Sequence, residues 1–160
     1  MRLKQYLLEE LSKSLYRWMF PTMKTIKSDF KEYKKKESTK WKRRANMLKA
    51  RWPLFKDLEH FEDSLKNSRV FVLKDSMANR VQHLSNCRSI DELKALVSEY
   101  TRPRDVDRIV DGINNNDRIP YPIILTSNNR MFIMTGNTRI NVARILKVPI
   151  KVLIVDVNEI

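Results

Sequence analysis

The spacing of apolar residues predicts a helical first part and a mixed second part. From residue 3 to residue 66, apolar residues recur every three or four positions, which is typical of helices. The longest stripe predicts one amphipathic helix over residues 24–51, and Pro53 suits the first turn of a third helix. After a predicted strand at 69–73, the pattern predicts helices near 76–86, 90–100 and 104–113.

From residue 120 onward the pattern changes to that of strands. The runs 122–125 and 131–134 predict two strands, and the segment Ser127–Arg130 between them has turn chemistry. A helix follows, and then a final strand at 150–155. The sequence therefore predicts an α+β fold, with a basic helical region in residues 1–80 and a small mixed sheet with packed helices in residues 81–160.

Charge separates the same two parts. The whole chain carries a net charge of +13. Residues 1–80 hold 21 basic and 10 acidic side chains, whereas residues 81–160 hold 11 and 9. A local positive field attracts polyanions, so DNA is the expected partner, ahead of an anionic membrane surface.

The basic charge is densest in residues 24–51, where 12 Lys and Arg face three acids. The residues predicted to contact nucleic acid are Lys31, Lys34, Lys35, Lys36, Lys40, Lys42, Arg43 and Arg44. A solvated helix surface is the alternative, although such a surface usually carries opposite charges four residues apart. Trp41 and Trp52 fall on the apolar stripe, so they are predicted in the core rather than as base-stacking platforms.

Composition excludes several classes of protein. The single cysteine, Cys87, rules out an internal disulfide, and with His60 and His83 it gives too few soft ligands for a zinc site, so no metal site is predicted. Only two glycines occur, which excludes glycine-rich phosphate loops. The sequence shows no signal peptide and no apolar run of membrane-spanning length, so we expect a soluble, cytoplasmic protein without a membrane partner.

The junction between residues 134 and 140 carries the sharpest candidate chemistry. It leads from an apolar strand directly into an amphipathic helix, whose N-terminus presents unpaired N–H groups. Gly136 allows close approach to the backbone, Thr138 offers a hydroxyl, and Arg139, expected at the surface, offers a bidentate anion contact. The alternative is a plain strand-to-helix turn with a glycine for its dihedral angles and Asn or Thr as the cap.

Residues 101–156 resemble the ParB/sulfiredoxin superfamily. The resemblance depends on five features that follow one another along the chain. They are a helix (here 105–113), a Pro-initiated strand (122–125), the second strand of a hairpin (131–134), a G-x-x-R signature that opens a helix (Gly136-Asn-Thr-Arg139) and a last strand introduced by Val-Pro (148–155). The resemblance implies phosphate or nucleotide binding at Gly136, Asn137, Thr138 and Arg139, with a nucleoside triphosphate and Mg²⁺ as the candidate cofactor.

The chain departs from the family at two of these positions. Partition proteins have G-E-R-R, so Asn137 and Thr138 replace a Glu and the first Arg. Sulfiredoxins have G-C-H-R with a reactive cysteine, and Asn137 stands in its place, which excludes sulfiredoxin activity. Arg139 keeps the arginine that both share.

Three functions stay open at this point. The leading hypothesis is a DNA-binding protein with a ParB-like phosphate or nucleotide site. The second is a phosphotransferase or nuclease, with Asp107, Asp111 or Asp117 as weak candidates for the acidic component. Those three carboxylates also suit surface ion pairs with nearby arginines. The third is a protein-interaction module that uses the amphipathic helix, and self-association is compatible with each of the three.

Overall fold

The computed structural model of the chain describes residues 18–35, 40–78, 80–82, 85–99, 105–115 and 117–157. Within these residues the expected α+β class is confirmed. The helices are α1 (Met23–Lys35), α2 (Lys42–Leu48), α3 (Leu58–Lys66), α4 (Asp75–Ala78), α5 (Ile90–Ser98), α6 (Val106–Asn114) and α7 (Asn137–Ile145). The strands are β1 (Trp18–Met19), β2 (Arg69–Leu73), β3 (Val81–Gln82), β4 (Ile119–Pro120), β5 (Ile123–Ser127), β6 (Arg130–Thr135) and β7 (Ile150–Asp156).

A mixed five-stranded sheet lies at the centre of the molecule, in the order β2-β7-β5-β6-β3. The β2–β7 and β5–β6 pairs are antiparallel, and the β7–β5 and β6–β3 pairs are parallel. The central strand β5 pairs Leu125 with Val155 of β7 on one side and with Phe132 of β6 on the other. The short strands β1 and β4 form a separate parallel pair.

Side chains alternate between the two faces of this sheet, as the period of two in a strand requires. On β5, Ile123 and Leu125 enter one core cluster and Ile124 enters the other. On β6, Phe132 lies on the first face, whereas Met131 and Ile133 lie on the second. Because both faces are apolar, the sheet needs helices on both sides.

The first face packs against the helices of the basic region. Its core, which we call the aromatic core, joins Ile123, Leu125, Phe132, Leu153, Val155 and Val157 to Ile26, Tyr33, Trp41, Ala45, Leu48, Leu54, Phe55, Phe61 and Leu65. The second face packs against α5, α6 and α7 through Leu93, Val97, Val106, Ile113, Ile140, Val142 and Ala143, and we call this the aliphatic core. The three layers therefore place helices from both halves of the chain on one sheet.

The structure differs from the predicted elements at four places. Trp18 and Met19 fall in the segment predicted to be helical but form strand β1, and residues 3–17 of that segment lie outside the described residues. Residues 24–51 contain two helices, α1 and α2, and residues 36–39 between them lie outside the described residues. Pro53 does not start a helix, because Leu54 and Phe55 turn into the aromatic core, and α3 begins after Asp57. Within 76–86, only the short helix α4 forms, and Val81 pairs instead with Met131 in the sheet.

The β5–β6 hairpin fastens α2 to the sheet. Asn128 and Asn129 have φ values of 50° and 62°, which fits the two-residue turn expected from the sequence. The Asn128 side chain donates to the carbonyl oxygens of Leu48 and Lys49, each at 3.1 Å. The end of α2 is therefore held by hydrogen bonds as well as by apolar contact.

Candidate anion-binding cavity

The turn between β6 and α7 requires a glycine. Gly136 has a φ of 99°, a left-handed conformation that glycine adopts without steric cost. A Cβ at this position would lie 2.6 Å from the Cβ of Pro122 and 2.8 Å from its Cα. The backbone at Gly136 is thus packed against Pro122, and α7 starts at the next residue.

The N-terminus of α7 has no side-chain cap, unlike three other helices of the described chain. Asp57, Ser89 and Asp105 each accept a hydrogen bond from a backbone N–H in the first turn of α3, α5 and α6. The first N–H of α7 bonded within the helix is that of Ile140, which donates to the Gly136 carbonyl at 2.9 Å. The N–H groups of residues 137–139 therefore have no partner inside the helix and carry its partial positive charge.

A cavity of about 290 Å³ lies at this end of α7. Residues 135–139 form one part of its lining. Ser28, Asp29 and Glu32 of α1 form another, and Arg44 of α2 completes the polar part. The cavity is thus lined both by the motif at residues 135–139 and by residues of the basic helices α1 and α2.

Thr138 is one of the hydroxyl-bearing residues in the cavity wall. The residue is only 7% exposed and lines the cavity at the first turn of α7. A hydroxyl is both a donor and an acceptor, so it can bond to a phosphate oxygen in either role.

Arg139 is half-buried, not exposed as the sequence led us to expect. Its Nη1 donates to the carbonyl oxygen of Pro120 at 2.6 Å, and its Nη2 donates to the Thr135 hydroxyl at 3.3 Å. Two of its five donors thus hold the β4–β5 connection against the turn at Gly136. Arg139 has a structural role as well as a place in the cavity wall.

The side chain of Asn137 is engaged away from the cavity. Its Oδ1 accepts from the Ser85 N–H at 3.3 Å, and its Nδ2 donates to the Ser85 hydroxyl at 3.2 Å. Asn141, which is 1% exposed, donates to the Asn137 carbonyl and Oδ1. Among the described residues the Oδ1 of Asn141 has no donor. Asn137 therefore contributes to the cavity through its backbone N–H.

The predicted nucleic-acid residues fall into two groups. Lys31, Lys34, Lys35, Lys40, Lys42 and Arg43 are exposed, while Lys36 lies outside the described residues. Arg44 is half-buried, and its guanidinium carbon lies 4.5 Å from the ring centre of Trp41 and 5.4 Å from that of Phe132. Burial lowers the pKa of the Arg44 guanidinium from its usual value. Trp41 is buried, as its place in the apolar stripe predicted.

The three carboxylates singled out in the sequence lie elsewhere. Asp107, Asp111 and Asp117 are exposed, and none of them lines the cavity. Asp107 forms an ion pair with Lys94, with 2.7 Å between Oδ1 and Nζ. The carboxylates in the cavity are Asp29 and Glu32, which the sequence reasoning missed. Their signal is the spacing of three residues on one helix face within an otherwise basic segment.

The cavity has few ligands for a metal ion of its own. No group of three or more His, Cys, Asp or Glu residues is placed to hold a metal within the described ranges. Mg²⁺ is commonly bound by one or two carboxylates together with the phosphates of a substrate. Asp29 and Glu32 fit that mode, so they are the residues that would hold a Mg²⁺ ion brought by a nucleotide.

The wider comparisons leave the resemblance as a prediction. In the described part of the chain no helix has both the length and the apolar character needed to cross a membrane. Residues 105–156 contain α6, β4, β5, β6, α7 and β7 in that order. Comparison with protein-family models, with curated proteins and with solved structures finds no match to this chain.

Proposed function

We propose that the protein binds DNA through the exposed basic side chains of α1 and α2, and that the cavity at the start of α7 takes a phosphate group. The observation that supports the proposal is that α1 contributes residues both to the cavity wall and to the exposed basic surface. Ser28 and Glu32 line the cavity. Lys31 and Lys35 are exposed and follow these two residues by three positions, which places them on the same side of the helix.

The charge balance of this surface supports the proposal. The segment 24–51 has a net charge of +9. Within it Lys35 forms an ion pair with Glu32, with 3.6 Å between Nζ and Oε1. Exposed pairs of this kind contribute little and do not neutralise a surface. A phosphate backbone is the polyanion that a lysine-rich helix face attracts without sequence preference.

The experiment measures binding of a labelled duplex as a function of salt. We expect log Kd to rise linearly with log salt concentration, and the double variant Lys31→Glu with Arg43→Glu to bind more weakly at every sequence tested. If each side chain contacts one phosphate, the slope falls by about 1.8. The control is Arg80→Glu with Lys147→Glu, which changes the net charge equally at exposed positions outside this segment. Equal losses in the two double variants would contradict a DNA surface on α1 and α2.

A second candidate function is phosphoryl transfer or DNA cleavage. It is favoured by Asp29 and Glu32, because two carboxylates line the same cavity as Arg139 and the N-terminus of α7. A carboxylate near a bound phosphate serves as a general base or as a Mg²⁺ ligand. The assay incubates the protein with each nucleoside triphosphate, Mg²⁺ and plasmid DNA. Turnover lost in Asp29→Asn or Glu32→Gln but retained in Asp107→Asn would establish this function.

The interaction-module hypothesis gains no support from the helix faces. It needs the apolar stripe of the basic segment to be exposed. Five members of this stripe lie in the aromatic core, namely Ile26, Tyr33, Trp41, Ala45 and Leu48. The other two, Phe30 and Trp52, are half-buried and pack against it. The stripe therefore packs against the sheet of the same chain.

A further inference from the structure

The Arg44 guanidinium is partly removed from water and lies against two aromatic rings. The rings are those of Trp41, which is 3% exposed, and Phe132, which is fully buried. Among the described residues no carboxylate forms an ion pair with it, although Asp29 and Glu32 line the same cavity. Attraction to the aromatic faces offsets part of the desolvation cost, typically less than a carboxylate or phosphate would.

The contact with the rings leaves the guanidinium donors available, because none of them forms a hydrogen bond to a described residue. The aromatic contacts, together with the hydrogen bonds from Asn128 to the end of α2, restrict the motion of the group, so it loses less rotational freedom when it binds. An arginine with available donors can bind a phosphate through two parallel hydrogen bonds.

The neighbouring groups are those that a phosphate would need. Arg44 lines the cavity together with Thr138 and with the first turn of α7, where the partial positive charge of the helix lies. Arg139 lines it too, but two of its donors are engaged by Pro120 and Thr135. Arg44 is thus the arginine whose donors are the more available for a ligand.

We propose that Arg44 is the main phosphate-binding side chain of the cavity, and that its ligand is a phosphate monoester carried by a nucleotide or by a DNA end. The inference rests on the proposed phosphate site and specifies its ligand. A cavity of about 290 Å³ is near the lower limit for small-molecule sites. It accommodates a terminal phosphate or a mononucleotide, while a phosphate in the middle of a duplex stays outside.

The test measures the affinity of the full chain for inorganic phosphate and for a deoxynucleoside 5′-monophosphate by calorimetry. We expect Arg44→Gln to weaken binding by about 10- to 100-fold, as loss of a charged hydrogen-bonded contact does. The matched control is Arg80→Gln, which removes the same charge from an exposed residue outside α1, α2 and the cavity and is expected to change affinity by less than about threefold. Arg44→Lys keeps the charge but not the planar donors, so we expect it to recover only part of the affinity.

A second measurement needs no variant and so does not depend on folding of Arg44→Gln. In wild-type protein, phosphate should shift the NMR resonances of the Arg44 guanidinium and of the Thr138 amide. If phosphate binds and Thr138→Val weakens it, but Arg44→Gln equals Arg80→Gln, the role of Arg44 is wrong and the cavity site stands. If wild-type protein binds no phosphate, the proposed site itself is wrong.

The source of the phosphate is distinguished by two oligonucleotides that differ only at the 5′ end. Tighter, Arg44-dependent binding of the 5′-phosphorylated strand supports a DNA end. Arg44-dependent binding of the mononucleotide with no preference between the strands supports a free nucleotide. Arg44-dependent binding of the 5′-hydroxyl strand alone would overturn the assignment to a monoester.

Discussion

The two faces of the central sheet are covered by helices that are stabilised in different ways. On one face, Tyr33, Phe55 and Phe61 form a network of ring contacts that also includes Phe30, Trp41 and Trp52. The ring centres of the contacting pairs lie 4.9–6.3 Å apart. On the other face, the apolar side chains that α5, α6 and α7 bury in the core are aliphatic. The helices α5 and α6 start at side-chain caps, Ser89 and Asp105. The helices α1 and α2 each carry a net charge of +3 and have no acidic residue in their first turn.

The difference shows how a strongly charged helix is kept folded. Like charges spaced four residues apart destabilise an isolated helix, and helices of this length are marginal in water in any case. Large aromatic side chains bury much area per residue and add favourable edge contacts. The aromatic core therefore stabilises α1 and α2 by tertiary packing, whereas caps and charge pairs stabilise helices locally on the other face. It keeps the lysines of α1 exposed while Arg44 is held in the cavity.

The largest predicted effect comes from truncating the aromatic core. Phe61 is fully buried and its ring centre lies 4.9 Å from that of Phe55. We expect Phe61→Ala to lower the free energy of unfolding by about 3–5 kcal/mol. Because this core includes strands β5 and β7, unfolding in urea should be one transition when followed by tryptophan fluorescence and by far-UV circular dichroism.

The control for this variant is Val70→Ala, at a residue 52% exposed on the edge strand β2. It should change stability by less than about 1 kcal/mol. Two separate transitions, with fluorescence lost before the sheet signal, would show that the basic helices and the sheet are independent units.

The only two glycines of the chain give the next prediction. Gly136→Ala requires a left-handed alanine and a Cβ that overlaps Pro122, so we expect a loss of about 2–4 kcal/mol. Gly112 lies inside α6, and an added Cβ would meet only Asp117 at 3.8 Å. Gly112→Ala should therefore stabilise the protein by about 0.5–1 kcal/mol. Thermal unfolding of both variants checks the pair, and similar shifts of one sign would mean that Gly136 is not constrained as described.

Local sequence patterns predicted the longer strands of the sheet better than the short strands that form only by pairing with a distant segment. The strands at β2, β5, β6 and β7 were indicated by short apolar runs, and the Ser89 cap by the spacing of Ser89 and Glu92. The short strands β1 and β3 were not found. Two-residue strands have no period of their own and exist only through the pairing of Trp18 with Ile119 and of Val81 with Met131.

The cavity was predictable only in its C-terminal half. The motif at residues 136–139 follows from a glycine between a strand and a helix, and the cavity does form there. Its other wall depends on α1 packing over the sheet, a contact between residues more than 100 positions apart in sequence. No local spacing encodes that contact, so Asp29, Glu32 and Arg44 could be seen as basic-segment residues but not as cavity residues.

The engagement of Arg139 predicts a stability effect that a surface arginine would not have. Arg139→Ala leaves the Pro120 carbonyl without its donor, so we expect a loss of about 1–3 kcal/mol. Arg144→Ala, in the last turn of the same helix, should cost about 0.5 kcal/mol through the helix dipole alone. Urea unfolding of the two variants measures the difference. Equal stabilities would show that the Pro120 contact contributes nothing and would return Arg139 to a purely ligand-binding role.

The smallest expected effect is that of Asp107→Asn, on the aliphatic face. The pair with Lys94 is exposed, so the thermal midpoint should change by about 2 °C or less. The hydrogen bond to Asp107 raises the pKa of Lys94. A group whose pKa is raised on folding stabilises the folded state below its unfolded pKa, and that contribution is lost as pH rises through the folded value. The difference between wild type and variant should therefore disappear at strongly alkaline pH.

The same variant also tests on which face of the sheet phosphate binds. Asp107 does not line the cavity, so phosphate affinity measured by calorimetry should be unchanged in Asp107→Asn. Glu32→Gln, in contrast, removes a negative charge from the cavity wall and should strengthen phosphate binding at constant pH, because like charges no longer oppose each other there. A loss of affinity in Asp107→Asn as large as that in Arg44→Gln would place the ligand on the aliphatic face instead. The cavity between α1 and α7 would then have no role in binding.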